Sequence, residues 1–187
     1  MSELYGREAA LALLHEFTAG ESLRRHACAV EAAMRAAAER TGGDAEYWGA
    51  VGLLHDFDYE RHPELPDHPI KGGEILRERG YPEEFVRAVL SHASFTGVPR
   101  DSECSRWLFA VDELCGFCMA CAMVQPDRKI SSVKVKSVKK KLKHKHFAAK
   151  VNRDEIREGA EGLEIEIGEL IQHVLGALVP VADRLGL

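Results

Sequence analysis

The sequence predicts an all-α protein, and three observations support this class. Apolar residues recur at helical spacing along almost the whole of the 187-residue chain. Alternation of apolar and polar residues occurs only at 133–135, which is too short to indicate a sheet. The composition is 45% hydrophobic, and no repeat or linker divides the chain. We therefore expect one domain over residues 1–187, with its core at about 20–125 and a basic segment and C-terminal helices at 128–187.

The first half of the chain predicts five helices. Asp44 is placed to cap the third helix, Gly80 ends the fourth, and Pro82 occupies the first turn of the fifth. A polar stretch with several prolines, residues 58–69, separates the third helix from the fourth. In chain order the helices are expected at 7–17, at 22–40, from Asp44 to His55, at 68–79 and at 82–92.

The second half predicts a long apolar helix, a basic segment and further helices at the C-terminal end. The apolar helix is expected over residues 102–124, and Pro126 closes it. Residues 152–155 resemble a capping box, which indicates the start of another helix. Residues 163–185 predict a final amphipathic helix with a kink at Pro180.

Basic residues are concentrated between positions 128 and 150. This segment holds ten Lys or Arg and no Asp or Glu, so the rest of a chain of net charge −5 carries −15. Val135, Val138 and Leu142 form an apolar stripe beneath the lysines. Such a segment is either an ordinary solvated helix face or a surface that contacts phosphate. Nucleic acid is not an expected partner, because the segment has one aromatic residue, Phe147, and the body is acidic.

The cysteines and the chain start indicate a cytoplasmic protein. Five cysteines, an odd number, do not suggest a disulfide framework. Cys115, Cys118 and Cys121 share a helix face without a fourth ligand for zinc or an iron–sulfur cluster, so we interpret them as small buried residues. The N-terminus has no basic and apolar signal, and no apolar run reaches the roughly 18 residues of a membrane span.

Residues that can hold a metal are spread over the predicted helices. A lone helical histidine is ordinarily structural, and a carboxylate in an apolar helix, such as Asp112, needs a metal or a buried basic partner. As a set these residues are more specific, because imidazole and carboxylate suit iron, manganese, zinc or nickel, and converging helices can direct them at one point. In chain order the set is His26, the pair His55-Asp56, His68, His92 and Asp112.

These residues resemble the motifs of the HD superfamily of metal-dependent phosphohydrolases. Residues 53–59, LLHDFDY, are similar to the LLHDID core of the family. Residues 68–76, HPIKGGEIL, with Ser91-His92, resemble the helix pair that supplies two further histidines in dimetal members. Residues 110–114, AVDEL, resemble the helix of the final Asp. The chain is most similar to a small single-domain group of the HDIG type, but Phe57-Asp58 stands where Ile-Gly follows the doublet.

The resemblance implies a compact HD-domain helical bundle with a metal site in its core. It implies one or two divalent ions, with iron, manganese, zinc, nickel and cobalt as candidates. His62 competes with His68 for the second ion, and His68 is preferred because it precedes a helix with the expected glycine and leucine spacing. The implied ligands are His26, His55, Asp56 and Asp112 for the first ion, and the bridging Asp56, His68 and His92 for the second.

The implied activity is hydrolysis of a nucleotide or another small phosphate ester by hydroxide on the metal. His55 and Asp56 would lie at the reaction centre, and Lys71 is a further catalytic candidate that equally fits an ordinary exposed lysine. The substrate phosphate and the general acid have several candidates. They are Lys134, Lys136 and Lys139 for the phosphate, and Asp58, Glu113 and His62 for the general acid.

Two alternative functions stay open. Some members of the superfamily use the same ligand order to hold two irons and cleave a C–C or C–P bond with oxygen. A non-catalytic module that binds a metal and a ligand ranks below both enzymes, because every expected ligand is present.

Overall fold

A computed structural model describes residues 6–187 and confirms the predicted all-α class. Residues 6–187 contain no strand, and short 3₁₀ turns at Ser94–Thr96, Ile130–Ser132 and Val179–Val181 connect some of the helices. The helices are α1 Arg7–Phe17, α2 Glu21–Thr41, α3 Ala45–Leu54, α4 Asp67–Glu78, α5 Glu83–Leu90, α6 Glu103–Met123, α7 Val135–Leu142, α8 Arg153–Gly162, α9 Ile167–Leu178 and α10 Ala182–Leu185.

The long helices α2 and α6 form the centre of the structure. They pack on each other, and α3, α9 and α10 also pack on α2. Helix α3 lies close to α2 because Gly52 faces it, where a Cβ would come within 3.0 Å of the backbone of Val30. This close contact brings the C-terminal end of α3 beside the N-terminal half of α2.

Helix α8 is held tightly against α6. A Cβ added to Gly159 would lie 2.5 Å from the Cα of Ala110, a distance at which one helix would have to move. Ile156 and Ala160 are buried on the same side of α8. The contact positions the N-terminal half of α8 over the middle of α6.

Side-chain caps define the starts of three helices. Asp44 accepts hydrogen bonds from the backbone N–H groups of Glu46 and Tyr47, at 2.9 and 3.1 Å, as expected for a capping residue. Ser102 caps α6 in a reciprocal box with Ser105, and Asn152 caps α8. The predicted helix starts near residues 44, 102 and 152 therefore rest on hydrogen bonds.

Some predicted helix ends were wrong. The single helix expected over 163–185 is interrupted, because Glu164 has a left-handed backbone (φ 56°) and Pro180 lies in a 3₁₀ turn between α9 and α10. Pro82 precedes α5 instead of lying in its first turn, and His92 follows the end of that helix. Among residues 6–187 no single helix is long and apolar enough to cross a membrane, and one pair bent by 100°, Arg153–Gly162 with Ile167–Leu185, passes only as a pair and only by length and composition.

Candidate metal centre

The six candidate ligands come from five separate parts of the fold. Three of them, His55, His68 and His92, lie at or beside a helix end. At such a position the backbone is not constrained on both sides by helical turns, so it can direct the side chain inward. The ligand positions are His26 in α2, His55 at the C-terminal cap of α3, Asp56 in the turn that follows, His68 at the start of α4, His92 after α5, and Asp112 in the middle of α6.

The structure brings these six side chains together as two facing groups. The first triad is His26, His55 and Asp112, and the second triad is Asp56, His68 and His92; within each triad the ligand atoms lie within 4.8 Å of one another. In the first triad, Oδ1 of Asp112 lies 3.0 Å from Nε2 of His26 and 3.3 Å from Nε2 of His55.

Asp56 faces both triads. Its Oδ1 lies 3.1 Å from Nε2 of His68 and 3.2 Å from Nε2 of His92. Its Oδ2 lies 3.5 Å from Nε2 of His55, which belongs to the first triad. A carboxylate in this position can bind one ion through each oxygen.

Hydrogen bonds on the far side of the rings orient three of the histidines. Nδ1 of His55 donates to the carbonyl oxygen of Gly52 at 2.8 Å, and Nδ1 of His92 donates to that of Val89 at 2.6 Å. Because a carbonyl oxygen only accepts, these Nδ1 atoms must carry a proton. When the ring is neutral, Nε2 therefore keeps its lone pair for a metal, which is the usual arrangement around a metal-binding histidine.

Asp58 orients the third histidine. It is fully buried and accepts from Nδ1 of His68 at 2.9 Å and from the backbone N–H of Gly72 at 2.9 Å. A Cβ on Gly72 would lie 2.8 Å from this carboxylate, so the close approach requires glycine. The expectation that Asp58 is catalytic or a general acid stays a prediction; the structure places its carboxylate behind His68 and outside the lining of the cleft described below.

A buried nitrogen at the centre supports the fit to a cation. Nε2 of His55 is inaccessible to solvent and has no hydrogen-bond partner among residues 6–187. Its near neighbours are the carboxylate oxygens of Asp112 and Asp56, at 3.3 and 3.5 Å. A buried polar atom without a partner is costly, whereas a divalent cation between an imidazole and carboxylates satisfies all of them. The residues present therefore fit a divalent metal.

The electrostatics also indicate that the centre requires positive charge. Burial disfavours the charged form of His55, but the charges of Asp56 and Asp112 outweigh it and raise the pKa of His55 to about 10. Burial is likewise outweighed at His68, where hydrogen bonds to Asp56 and Asp58 raise the pKa to about 9. Against their own burial, the pKa values of Asp56 and Asp112 are held below the usual range, first by the charge of His55. Protons on the imidazole rings balance the negative charge of the carboxylates, which is the role that a bound cation would have.

An open cleft of about 500 Å³ gives access to both triads. One wall carries Glu113 and Glu155, and the mouth carries three exposed apolar side chains, which we call the mouth residues: Tyr59, Leu65 and Phe95. Glu113 accepts a hydrogen bond from the backbone N–H of Asn152 at 3.1 Å. Burial, and then the charge of Asp112, raises the pKa of Glu113 to about 7.

The sequence reasoning missed Glu155 and the mouth residues. Glu155 lies with Asp154 in the acidic first turn of a helix, so nothing in the sequence distinguishes it from an ordinary surface carboxylate. The mouth residues do have a signal: each stands three positions from a member of the second triad. This three-residue spacing becomes informative only when the ligand positions are known, because it then relates each mouth residue to a ligand of the second triad.

The lysines expected at the phosphate do not line this cleft. Lys136 and Lys139 line a different groove of about 1040 Å³, between α7, α8 and the start of α9, and Lys134 is exposed at the start of α7. Lys71 is exposed on α4 and pairs with Glu74 at 2.9 Å. The phosphate-binding role of the three basic-segment lysines stays a prediction, and the structure does not place them in the cleft that contains the triads.

The remaining sequence candidates lie outside the triads. His62 belongs to neither triad, whereas its competitor His68 does. All five cysteines are free, and Cys115, Cys118 and Cys121 are buried in α6. Burial raises the pKa of the Cys115 thiol, which favours its neutral form.

The chain matches a known protein family. Residues 23–115 match the family model of the HD domain. This range begins near the start of α2 and extends past Asp112, so it contains all six candidate ligands. No solved structure matched the chain.

Proposed function

Because the chain contains an HD domain of the metal-dependent phosphohydrolase type at residues 23–115, we propose that it hydrolyses a small phosphate ester, a nucleotide being one candidate. The observation that carries the proposal is the pair of facing triads at the floor of an open cleft, joined by Asp56. We also propose a cytoplasmic location, which the five free cysteines support.

The two triads define which residues would hold the ions. One ion would be held by His26, His55 and Asp112, and a second by His68 and His92, with Asp56 between them. Iron, manganese, zinc, nickel and cobalt all suit this donor set. A divalent ion bound there lowers the pKa of a coordinated water and polarises a phosphoryl oxygen.

The protein residues contribute orientation and proton handling. The fixed Nδ1 hydrogen bonds of His55 and His92 hold both rings in the productive tautomer, and Asp58 does the same for His68. Of the three candidate general acids, only Glu113 lines the cleft. Its position makes Glu113 our candidate to pass a proton to the leaving oxygen of the substrate.

The first experiment measures metal content and hydrolysis together. Protein purified without added metal is analysed by mass spectrometry, reconstituted with each candidate ion, and assayed on a panel of phosphate mono- and diesters. We expect one or two ions per chain and hydrolysis that is lost in Asp56→Ala while the helical circular dichroism spectrum is retained. Val124→Ala, an exposed change at the end of α6 outside the cleft, is the control that should keep activity.

Activity that survives in Asp56→Ala would contradict the proposal. Near two equivalents of iron, a mixed-valent electron paramagnetic resonance signal and no phosphoester hydrolysis would favour the diiron oxygenase instead. A chain that takes up no metal on reconstitution would leave the non-catalytic module.

A further inference from the structure

The mouth residues form an apolar surface at the edge of the metal cleft. Tyr59, Leu65 and Phe95 are 40%, 70% and 48% exposed, and they are three of the seven exposed large hydrophobic residues found in residues 6–187. All three line the same cleft as the triads. Exposed apolar side chains that cluster at one cleft indicate a binding surface, whereas scattered ones do not.

The mouth lies on the side of the second triad. Tyr59 follows Asp56 by three positions, Leu65 precedes His68 by three, and Phe95 follows His92 by three. The backbone N–H of Tyr59 donates to the carbonyl oxygen of Asp56 at 3.0 Å, and the Tyr59 ring meets the His68 ring edge-on at 5.2 Å between centroids. Tyr59 therefore connects the mouth to the ligands of the second triad, and Leu65 and Phe95 line the same cleft.

The charge of the cleft disfavours a highly anionic substrate. Its lining includes the carboxylates of Asp56, Asp112, Glu113 and Glu155, and among the described residues no Lys or Arg. The nearby Arg100 does not line the cleft; its guanidinium donates to the carbonyl oxygen of Ser91 and to the hydroxyl of Ser94, and it packs on Phe109. Apart from bound cations, nothing in the cleft offsets the charge of a polyphosphate chain.

We infer that the substrate is a phosphate ester of low charge whose alcohol part is aromatic or apolar and packs on Tyr59, Leu65 and Phe95. The phosphate group of this substrate rests on the proposed function, and its aromatic or apolar alcohol part rests on the mouth residues. The mouth residues determine specificity. Phe95 is the clearest of them to test, because among residues 6–187 its ring makes no ring–ring contact with a candidate metal ligand, whereas the Tyr59 ring contacts His68.

A matched pair of substrates tests the inference. 2-Phenylethyl phosphate and ethyl phosphate share a primary alcohol leaving group and differ in the aromatic ring. We expect the metal-loaded wild type to prefer the phenylethyl ester by about tenfold in kcat/KM, the effect of roughly 1.4 kcal/mol of contact. Phe95→Ala and Leu65→Ala should remove this preference, mainly by raising KM for the phenylethyl ester, while metal content stays that of the wild type.

Val124→Ala is the matched control, because Val124 is 55% exposed at the end of α6 and does not line the cleft. A wild type without preference, or a preference that survives the Phe95→Ala, Leu65→Ala double variant, would overturn the inference. If neither ester is hydrolysed, the ester panel described above decides the proposed function, and calorimetry decides the inference separately. Tighter binding of 2-phenylethylphosphonate than of ethylphosphonate, lost in the double variant, would support it, and equal binding would refute it.

Discussion

Replacing Asp58 by asparagine tests whether a fully buried carboxylate controls the metal affinity of the second triad. Oδ1 of Asp58 accepts from Nδ1 of His68, and Oδ2 accepts from the N–H of Gly72, both at 2.9 Å. Asparagine has a single acceptor oxygen, so its NH₂ group must face one of these two donors. The change conserves shape and removes one hydrogen bond and a charge.

The two orientations of the new amide predict two measurable effects. If the NH₂ group faces His68, the imidazole is driven to the tautomer with its proton on Nε2, the atom that faces Asp56. Loss of such an orienting partner lowers metal affinity by about 10- to 100-fold, which is about 1.4–2.7 kcal/mol. If the NH₂ group faces Gly72, a buried N–H loses its acceptor, and the free energy of unfolding falls by about 1–3 kcal/mol.

Calorimetric titration with Mn²⁺ and urea unfolding together cover both orientations. Glu60→Gln is the matched control, because Glu60 is a carboxylate in the same turn that accepts from the N–H groups of Ala19 and Gly20, away from the triads. The control should keep the metal affinity of the wild type. Wild-type metal affinity together with wild-type stability in Asp58→Asn would refute the reasoning.

Three further predictions concern proton competition and packing. Because the pKa values of His55 and His68 are raised to about 10 and about 9, a cation must displace their protons when it binds. Metal affinity measured by calorimetry should therefore rise between about pH 6 and pH 8, by up to about tenfold per pH unit for each proton displaced. A metal affinity that does not change with pH would contradict this prediction. Gly159→Ala forces a Cβ to 2.5 Å from the α6 backbone and should cost about 1–3 kcal/mol in thermal unfolding, whereas Gly162→Ala, with no atom within 4 Å, should not lower Tm. Asp44→Ala removes the cap of α3 and should cost about 1 kcal/mol in urea unfolding, a loss that Asp44→Asn should largely avoid.

The helices were predictable because their signals are local. Helical spacing of apolar residues and the caps at Asp44, Ser102 and Asn152 act within a few positions of the chain. The errors fell where local signals are weak. The left-handed backbone at Glu164 was not predicted, because a non-glycine residue carries no local signal for it, whereas the interruption at Pro180 agrees with the predicted kink.

The candidate ligands were predictable for a different reason. A buried imidazole or carboxylate needs a partner, so a series of them along apolar helices is informative without any coordinates. The partner of each ligand was not predictable. Asp58 was expected to act on the substrate, and only the structure revealed its contact with Nδ1 of the candidate ligand His68.

The basic segment shows the limit of arguments from charge. Ten cations without an acid in the segment suggested phosphate contact, yet Lys136 and Lys139 line a groove separate from the cleft. Charge along the chain indicates what a surface can attract, but not which surface it belongs to.

By itself the sequence determined the helical class, the starts of several helices and the chemical types available for a metal, because periodicity, capping and the cost of buried polar groups are local properties of the chain. Only the tertiary structure decided which ligands share a triad, that Asp56 faces both triads, and that Tyr59, Leu65 and Phe95 border the cleft. These depend on the packing of α2, α3 and α6, where close contacts such as Gly52 on Val30 set distances between residues far apart in sequence.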